Sequence, residues 1–341
     1  MMKNSPAPGL KFFNTVRILG LNWFIIALIG VILLAYTWPH AGAKDSAVPL
    51  SEIATVGISV IFFLYGLRLS PQKMKAGLSN WRIHLVVQLT TFVLFPLIVI
   101  LARGIIGDHG YDRIWLGVFF LSSLPGTVTS AVVMVSIARG NIPAAIFNSS
   151  ISTLLGVLIT PFLMGLYLET SSAEYDFGPI LLKLLLQVLF PVILGILLNK
   201  VGGACAEKHE KKTGYFNQIV ILLIIYTAFC ESFEKKMFEG YSALLLLGLG
   251  IALITLFYTV YGLVSFASRL FKFTREEKIT ALFCGSNKSL IHGSLMSNVL
   301  FAGSPLAGIV LLPIMMYHAL QLVMGSIIAQ WFARNNIRSN S

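Results

Sequence analysis

Ten apolar runs of about 20 residues, the length needed to cross a bilayer, mark the chain: residues 18–37, 50–69, 81–103, 113–136, 143–167, 178–199, 215–233, 241–268, 277–300 and 305–331. The polar segments between them are short, and none is long enough for a separate soluble domain. The pattern predicts an all-α polytopic membrane protein, a single integral membrane unit over residues 1–341. Ten spans divide into two sets of five, approximately 18–167 and 178–331. An odd number of spans per half means that a duplicated half inserts upside down, so two inverted five-helix repeats are expected. Spans 4 and 9, each the fourth of its set, both carry a polar cluster that breaks the helical pattern.

Composition agrees with this class. The chain is 56% hydrophobic and 11% charged, whereas a soluble domain averages about 25% charged. A net charge of +11 would suggest nucleic acid for a soluble protein, but here its distribution speaks of the lipid bilayer. The N-terminus, the loops after spans 2, 4, 6 and 8, and the C-terminus hold 18 of the 25 Lys and Arg residues. The opposite side holds Lys44, Arg103, Arg113, Lys183, Lys235 and Lys236, together with Asp108, Asp112, Glu169, Glu174 and Asp176. The positive-inside bias places both termini in the cytoplasm of a plasma-membrane protein, and nucleic acid is not an expected partner. Lys3, Lys11 and Arg17 before the first run, and Ala41-Gly-Ala43 after it, look like a signal peptide; the reading here is an uncleaved first span. Cys205, Cys230 and Cys284 lie in a hydrophilic loop, at a helix end and in mid-span, so neither a disulfide framework nor a zinc site is expected.

Lys288 stands alone in an otherwise uncharged span. Counted from Glu277 at about 1.5 Å per residue, it lies roughly 16 Å deep. A cation there costs about 2.5–3.5 kcal/mol on the mildest scale, which makes it a functional-site hypothesis. Gly285, Ser286, Asn287 and Ser289 flank it, weaken the helix and offer polar ligands. No Asp or Glu occupies the centre of any span, so the partners open to Lys288 are a bound anion or backbone carbonyls. The bland alternative is a structural lysine.

In span 4, Pro125 and Gly126 interrupt the ladder among Ser122, Ser123, Thr127, Thr129 and Ser130. Carbonyls freed in lipid must be satisfied by protein, water or ligand. An ordinary kink patched by Ser122 and Ser123 is the simpler account. In span 5, Asn148 and Ser152, and Ser149 and Thr153, share helix faces at four-residue spacing; such residues also serve as packing glue. His292 is one turn beyond Lys288 and either faces the same cavity or packs between helices. With no P-loop, GxSxG or HExxH, enzyme chemistry has no constellation to stand on.

The Pro125-Gly-Thr-Val-Thr-Ser130 break, the Ile137-Ala-Arg-Gly-Asn141 turn, the Ser152-Thr-Leu-Leu-Gly-Val-Leu-Ile-Thr-Pro161 helix and Phe283-Cys-Gly-Ser-Asn-Lys-Ser-Leu290 resemble the bile acid:sodium symporter superfamily. The last motif looks like its divergent branch, which contains the seventh human member and bacterial homologues. The resemblance implies a panel of helices 1, 2, 6 and 7 and a core of helices 3–5 and 8–10, with helices 4 and 9 unwound and crossed. Sodium ligands carried over by resemblance fall near Thr129, Ser130 and Ala131, on Ser149 and Thr153, and around Phe283 to Asn287. The chain departs from the sodium-coupled Glu-x-Gly-x-Gln pattern: Phe283 replaces the Glu, Asn287 stands for Gln, and Lys288 follows. Losing an anionic ligand and gaining a cation argues against two ordinary sodium sites.

The expected function is secondary transport of a small anionic organic solute by alternating access, coupled to sodium or to a proton. The substrate and ion site is expected at Pro125, Gly126, Thr127, Thr129, Ser130, Asn148, Ser149, Ser152, Thr153, Gly285, Ser286, Asn287, Lys288 and Ser289. Its candidate sodium ligands are Ser130, Ser149, Thr153 and Asn287, and no other cofactor is expected. The rival expectation is a non-transporting membrane regulator of a partner channel or of ion homeostasis.

Overall fold

The computed structural model describes residues 23–43, 46, 48–68, 80–107, 110–171, 185–239, 241–301 and 304–338. The basic N-terminal segment, the start of the first span and Asp108, Glu174, Asp176 and Lys183 lie outside them. The described residues form helices and connecting turns, with no strand among them.

In chain order the helices are α1 (Trp23–Thr37), α2 (Leu50–Arg68), α3 (Trp81–Ile106), α4 (Asp112–Ser123), α5 (Thr129–Ile137) and α6 (Ile142–Ser171). There follow α7 (Phe190–Leu197), α8 (Asn199–Lys208), α9 (Glu210–Glu234), α10 (Ala243–Leu270), α11 (Arg275–Ser286), α12 (Leu290–Leu300) and α13 (Ala307–Arg338). Among the described residues six helices are long and apolar enough to cross a membrane: α2, α3, α6, α9, α10 and α13. Their outward faces carry large apolar side chains, such as Val56, Phe162, Leu247 and Ile327, exposed on the surface. Water would not tolerate this many; lipid does.

Two expectations need correction here. The segment after α7 is not a loop: the chain bends by 98° and continues as α8, so Cys205 is exposed on a helix. In α11 the helix runs through Gly285 and Ser286, and the interruption begins only at Asn287. A single glycine costs about 1 kcal/mol in a helix, which burial of Ile279 to Cys284 outweighs.

α2 packs on α7, α8 and α9, and α1 packs on α9. The α2–α7 contact is backbone to backbone: a Cβ at Gly66 would stand 2.1 Å from the Val192 carbonyl, and one at Gly195 would stand 2.2 Å from that of Phe63. Small residues permit such approach in membrane helices. The helices α3–α6 and α10–α13 pack mainly on one another, and α9 also touches α12 and α13.

Candidate functional site

The site begins with a defect in α3. Residues Thr90–Leu94 form a π turn, in which the Phe95 amide donates to the Thr90 carbonyl. In a regular helix it would have donated to Thr91. The next residue, Pro96, has no N–H to offer. The Thr91 carbonyl is therefore left without a helical donor, deep among buried side chains.

α4 ends for a related reason. Proline disfavours helical conformation in the residue before it, and Leu124 is extended (φ −73°, ψ 151°). Four carbonyls around the break find partners outside α4. Ser123 O accepts from Thr160 Oγ1 of α6 at 2.8 Å. Pro125 O accepts from the Ser289 amide at 3.0 Å. Ser122 O and Leu124 O accept from Lys288 Nζ at 2.7 and 2.8 Å. The Ser122 hydroxyl turns back to Phe119 O, and the Ser123 hydroxyl serves Phe120 O in the last turn, where the Leu124 amide goes to Leu121 O. Gly156 of α6 makes room for the proline, since a Cβ there would lie 2.6 Å from Pro125 Cγ.

The second interruption is held by α13. Asn287 is extended after α11, and Ser289 caps α12 by accepting from the His292 amide. Gln321 brackets Lys288 on both sides: its Oε1 accepts from the Lys288 amide and its Nε2 donates to the Lys288 carbonyl, each at 2.8 Å. Tyr317 Oη donates to Ser286 O at 2.7 Å. The two breaks touch directly, through Ser289 on Pro125 and through Gly126, whose Cα faces the Cys284 and Asn287 carbonyls.

Lys288 is completely buried. Its Nζ donates to Thr91 O at 2.8 Å as well as to Ser122 and Leu124, and lies 4.2 Å from the centroid of the Phe95 ring. Of the two partners open to it, carbonyls are the ones present. Three acceptors at this distance match the three N–H donors of an ammonium. Hydrogen bonds to a charged group contribute about 1.5–3 kcal/mol each, and a desolvated cation–π contact about 2 kcal/mol. Together these exceed the cost of about 2.5–3.5 kcal/mol that the mildest scale gives a cation at mid-membrane. The C-terminal dipole of α4 adds to them. Among the described residues no Asp or Glu side chain is buried.

A hydroxyl cluster lies beside the two breaks. Ser152 Oγ accepts from the Gly126 amide at 3.0 Å, Ser149 Oγ donates to Thr127 O at 3.3 Å, and Ser130 Oγ donates to Thr127 Oγ1 at 3.3 Å. Thr153 Oγ1 donates to Ser149 O, and Asn148 is held by Gln88 from α3. Thr129 opens α5. Asn287 Oδ1 is buried with no hydrogen-bond partner. The hydroxyls of Ser130, Ser149 and Thr153 spend their protons inside the protein, so their oxygens keep lone pairs free.

The family model for SBF-like CPA transporters matches residues 22–334, nearly the whole chain. The chain belongs to that family. An uncharacterized protein of Pseudomonas aeruginosa is 39% identical over 315 residues, 91% of this chain and 92% of its own length. YfeH of Escherichia coli, named as a candidate symporter, is 34% identical over 317 residues, covering 92% and 93%. Sodium/bile acid cotransporter 7 of Danio rerio is 30% identical over 319 residues, covering 90% and 92%. The resemblance read from the span 4 and span 9 motifs holds, and the SBF-like family consists of transporters, not enzymes.

Within this SBF-like chain the expected residues do not all do the same thing. Pro125, Gly126, Asn287, Lys288 and Ser289 meet where the two breaks touch, and Ser149 and Ser152 buttress them from α6. Gly285 and Ser286 are helical. His292 links the second break to α2: its Nδ1 meets Ser289 Oγ at 2.9 Å and its ring stacks on Tyr65 at 5.4 Å. Thr91, Phe95, Thr160, Tyr317 and Gln321 complete the site and escaped the sequence reading. A mid-span Phe-Pro and a mid-span Gln beside His318 were the available signals.

Proposed function

We propose that this chain is a secondary active transporter that moves a small anionic organic solute by alternating access. It would have ten spans as two inverted repeats, with both termini cytoplasmic in the plasma membrane. Interrupted helices 4 and 9 (α4/α5 and α11/α12) would cross at the site. α1, α2, α7 and α9 would form the panel and the remaining spans the core. The packing of α1 on α9 and of α2 on α7 and α9, with the core helices mainly on one another, supports that division.

The observation that carries the reading is the meeting of two helix breaks around one buried lysine amino group with no buried carboxylate among the described residues. Such a site is electropositive. The N-termini of α5 and α12 add to that field. Lys288 contributes charge rather than hydrogen bonds, since its donors are committed to carbonyls. Sodium at Ser130, Ser149, Thr153 and Asn287, or a proton carried with the solute, would supply the driving gradient. The names of the relatives, a candidate symporter and a sodium/bile acid cotransporter, agree with coupled transport.

The test is uptake of a panel of radiolabelled small organic anions by proteoliposomes under imposed sodium or pH gradients. Saturable, gradient-driven uptake that Pro125→Ala abolishes without loss of folded protein is expected. Proteoliposomes of folded protein that accumulate none of the panel under either gradient would contradict the reading.

A further inference from the structure

We propose that the carbonyls of Thr91, Ser122 and Leu124, with the face of Phe95, form a monovalent-cation site whose permanent occupant is the chain's own Lys288 ammonium. The cage does not depend on the lysine for its existence. Thr91 O is freed by the π turn and by Pro96, which lacks an amide hydrogen. Ser122 O and Leu124 O are freed by the interruption at Pro125. Two separate helix defects thus aim three orphan carbonyls at one point, and the lysine nitrogen sits on that point at 2.7–2.8 Å from all three.

The ligand chemistry is selective. Neutral carbonyl oxygens replace the hydration shell of a monovalent cation. An aromatic face adds attraction for an ammonium in particular. With no buried carboxylate among the described residues, a divalent ion would keep its full charge uncompensated there, and Ca²⁺ and Mg²⁺ sites draw on carboxylates. Lys288 brings its cation on a covalent stem anchored at both backbone groups by Gln321. Nothing has to bind for the cage to be filled. In a transporter this places one positive charge at the crossing through every step, whatever cations the bath contains.

The inference goes beyond the transport reading, and its test reads stability rather than uptake, so the two can fail separately. Lys288→Ala removes three methylenes and the amine, which is the substance of n-propylammonium. Lys288→Met fills the cage with an uncharged chain. Purified wild type and both variants are melted in detergent at constant ionic strength, with N-methylglucamine as the balancing cation. Titrants are n-propylammonium, methylammonium, potassium, sodium and the neutral analogue propan-1-ol.

Lys288→Ala should melt below wild type and recover saturably with n-propylammonium or a smaller monovalent cation, but not with propan-1-ol. Wild type and Lys288→Met should respond to none of them. If Lys288→Ala folds only when one of these cations is supplied during extraction, that also supports the site. No response in Lys288→Ala to any cation, no recovery of folded protein with any, an equal response to propan-1-ol, or an equal rise in wild type would each overturn the proposal.

Discussion

The carbonyl of Thr91 accepts a hydrogen bond from Lys288 Nζ at 2.8 Å across 197 residues of sequence. Neither group has a helical reason to be where it is. Thr91 O is an orphan of the π turn in α3, and Lys288 is a cation in an apolar span. Each removes the other's cost, because a buried carbonyl or ammonium left unmatched is expensive in lipid.

Pro96→Ala tests that pairing from the α3 side. Alanine is about 3 kcal/mol better than proline in a helix interior, so an ordinary membrane helix would gain from the change. Here the new amide can donate to Thr91 O in the same five-residue register as the Phe95–Thr90 bond and so competes with Lys288 for that carbonyl. No gain, or a fall, in unfolding temperature is expected. A stabilisation close to the propensity difference would show that the π turn is incidental.

Gly156 and Gly285 should behave oppositely. A methyl at Gly156 meets the rigid Pro125 ring at 2.6 Å, whereas one at Gly285 finds its nearest neighbour, Thr90 Cγ2, at 3.4 Å. Gly156→Ala should lose about 1–3 kcal/mol, the usual cost of overpacking, while Gly285→Ala should hold or gain stability through helix propensity. Thermal unfolding of the two purified variants separates the cases; equal effects would contradict the close packing of Pro125 on α6.

Topology follows from the Lys and Arg asymmetry and can be read with native chemistry. Of the three cysteines, Cys205 is exposed and Cys230 and Cys284 are buried. A membrane-impermeant maleimide should label Cys205 only after the cells are opened. In a Cys205→Ser background, Glu239→Cys in the exposed turn between α9 and α10 should label in intact cells. Labelling of both from the same side would sink the proposed orientation.

Much of this was legible in the sequence because it is local. A lone Lys at mid-span, a Pro-Gly in the middle of another, and hydroxyls at helical spacing are visible in a one-dimensional pattern. The partners were not. Thr91 acts through its backbone, which every residue possesses, and what frees that carbonyl is the combination of a π turn and a proline five residues on. Gln321 reads as one amide in a long apolar helix until α13 is packed against the second break. The bend between α7 and α8 was missed because polar residues after a span look like loop whether or not they are helical. Gly285 was over-read: intrinsic propensity is a weak guide inside a buried helix.

The measurement closest to the centre of this account is solid-state NMR on the protein in bilayers, with ¹⁵N in lysine side chains and ¹³C in the carbonyls of Thr, Ser and Leu. The account predicts that the Lys288 nitrogen, assigned by its loss in Lys288→Met, resonates as an ammonium and shows dipolar contact with the carbonyl carbons of Thr91, Ser122 and Leu124. An amine resonance, or a nitrogen with no carbonyl contact, would contradict it.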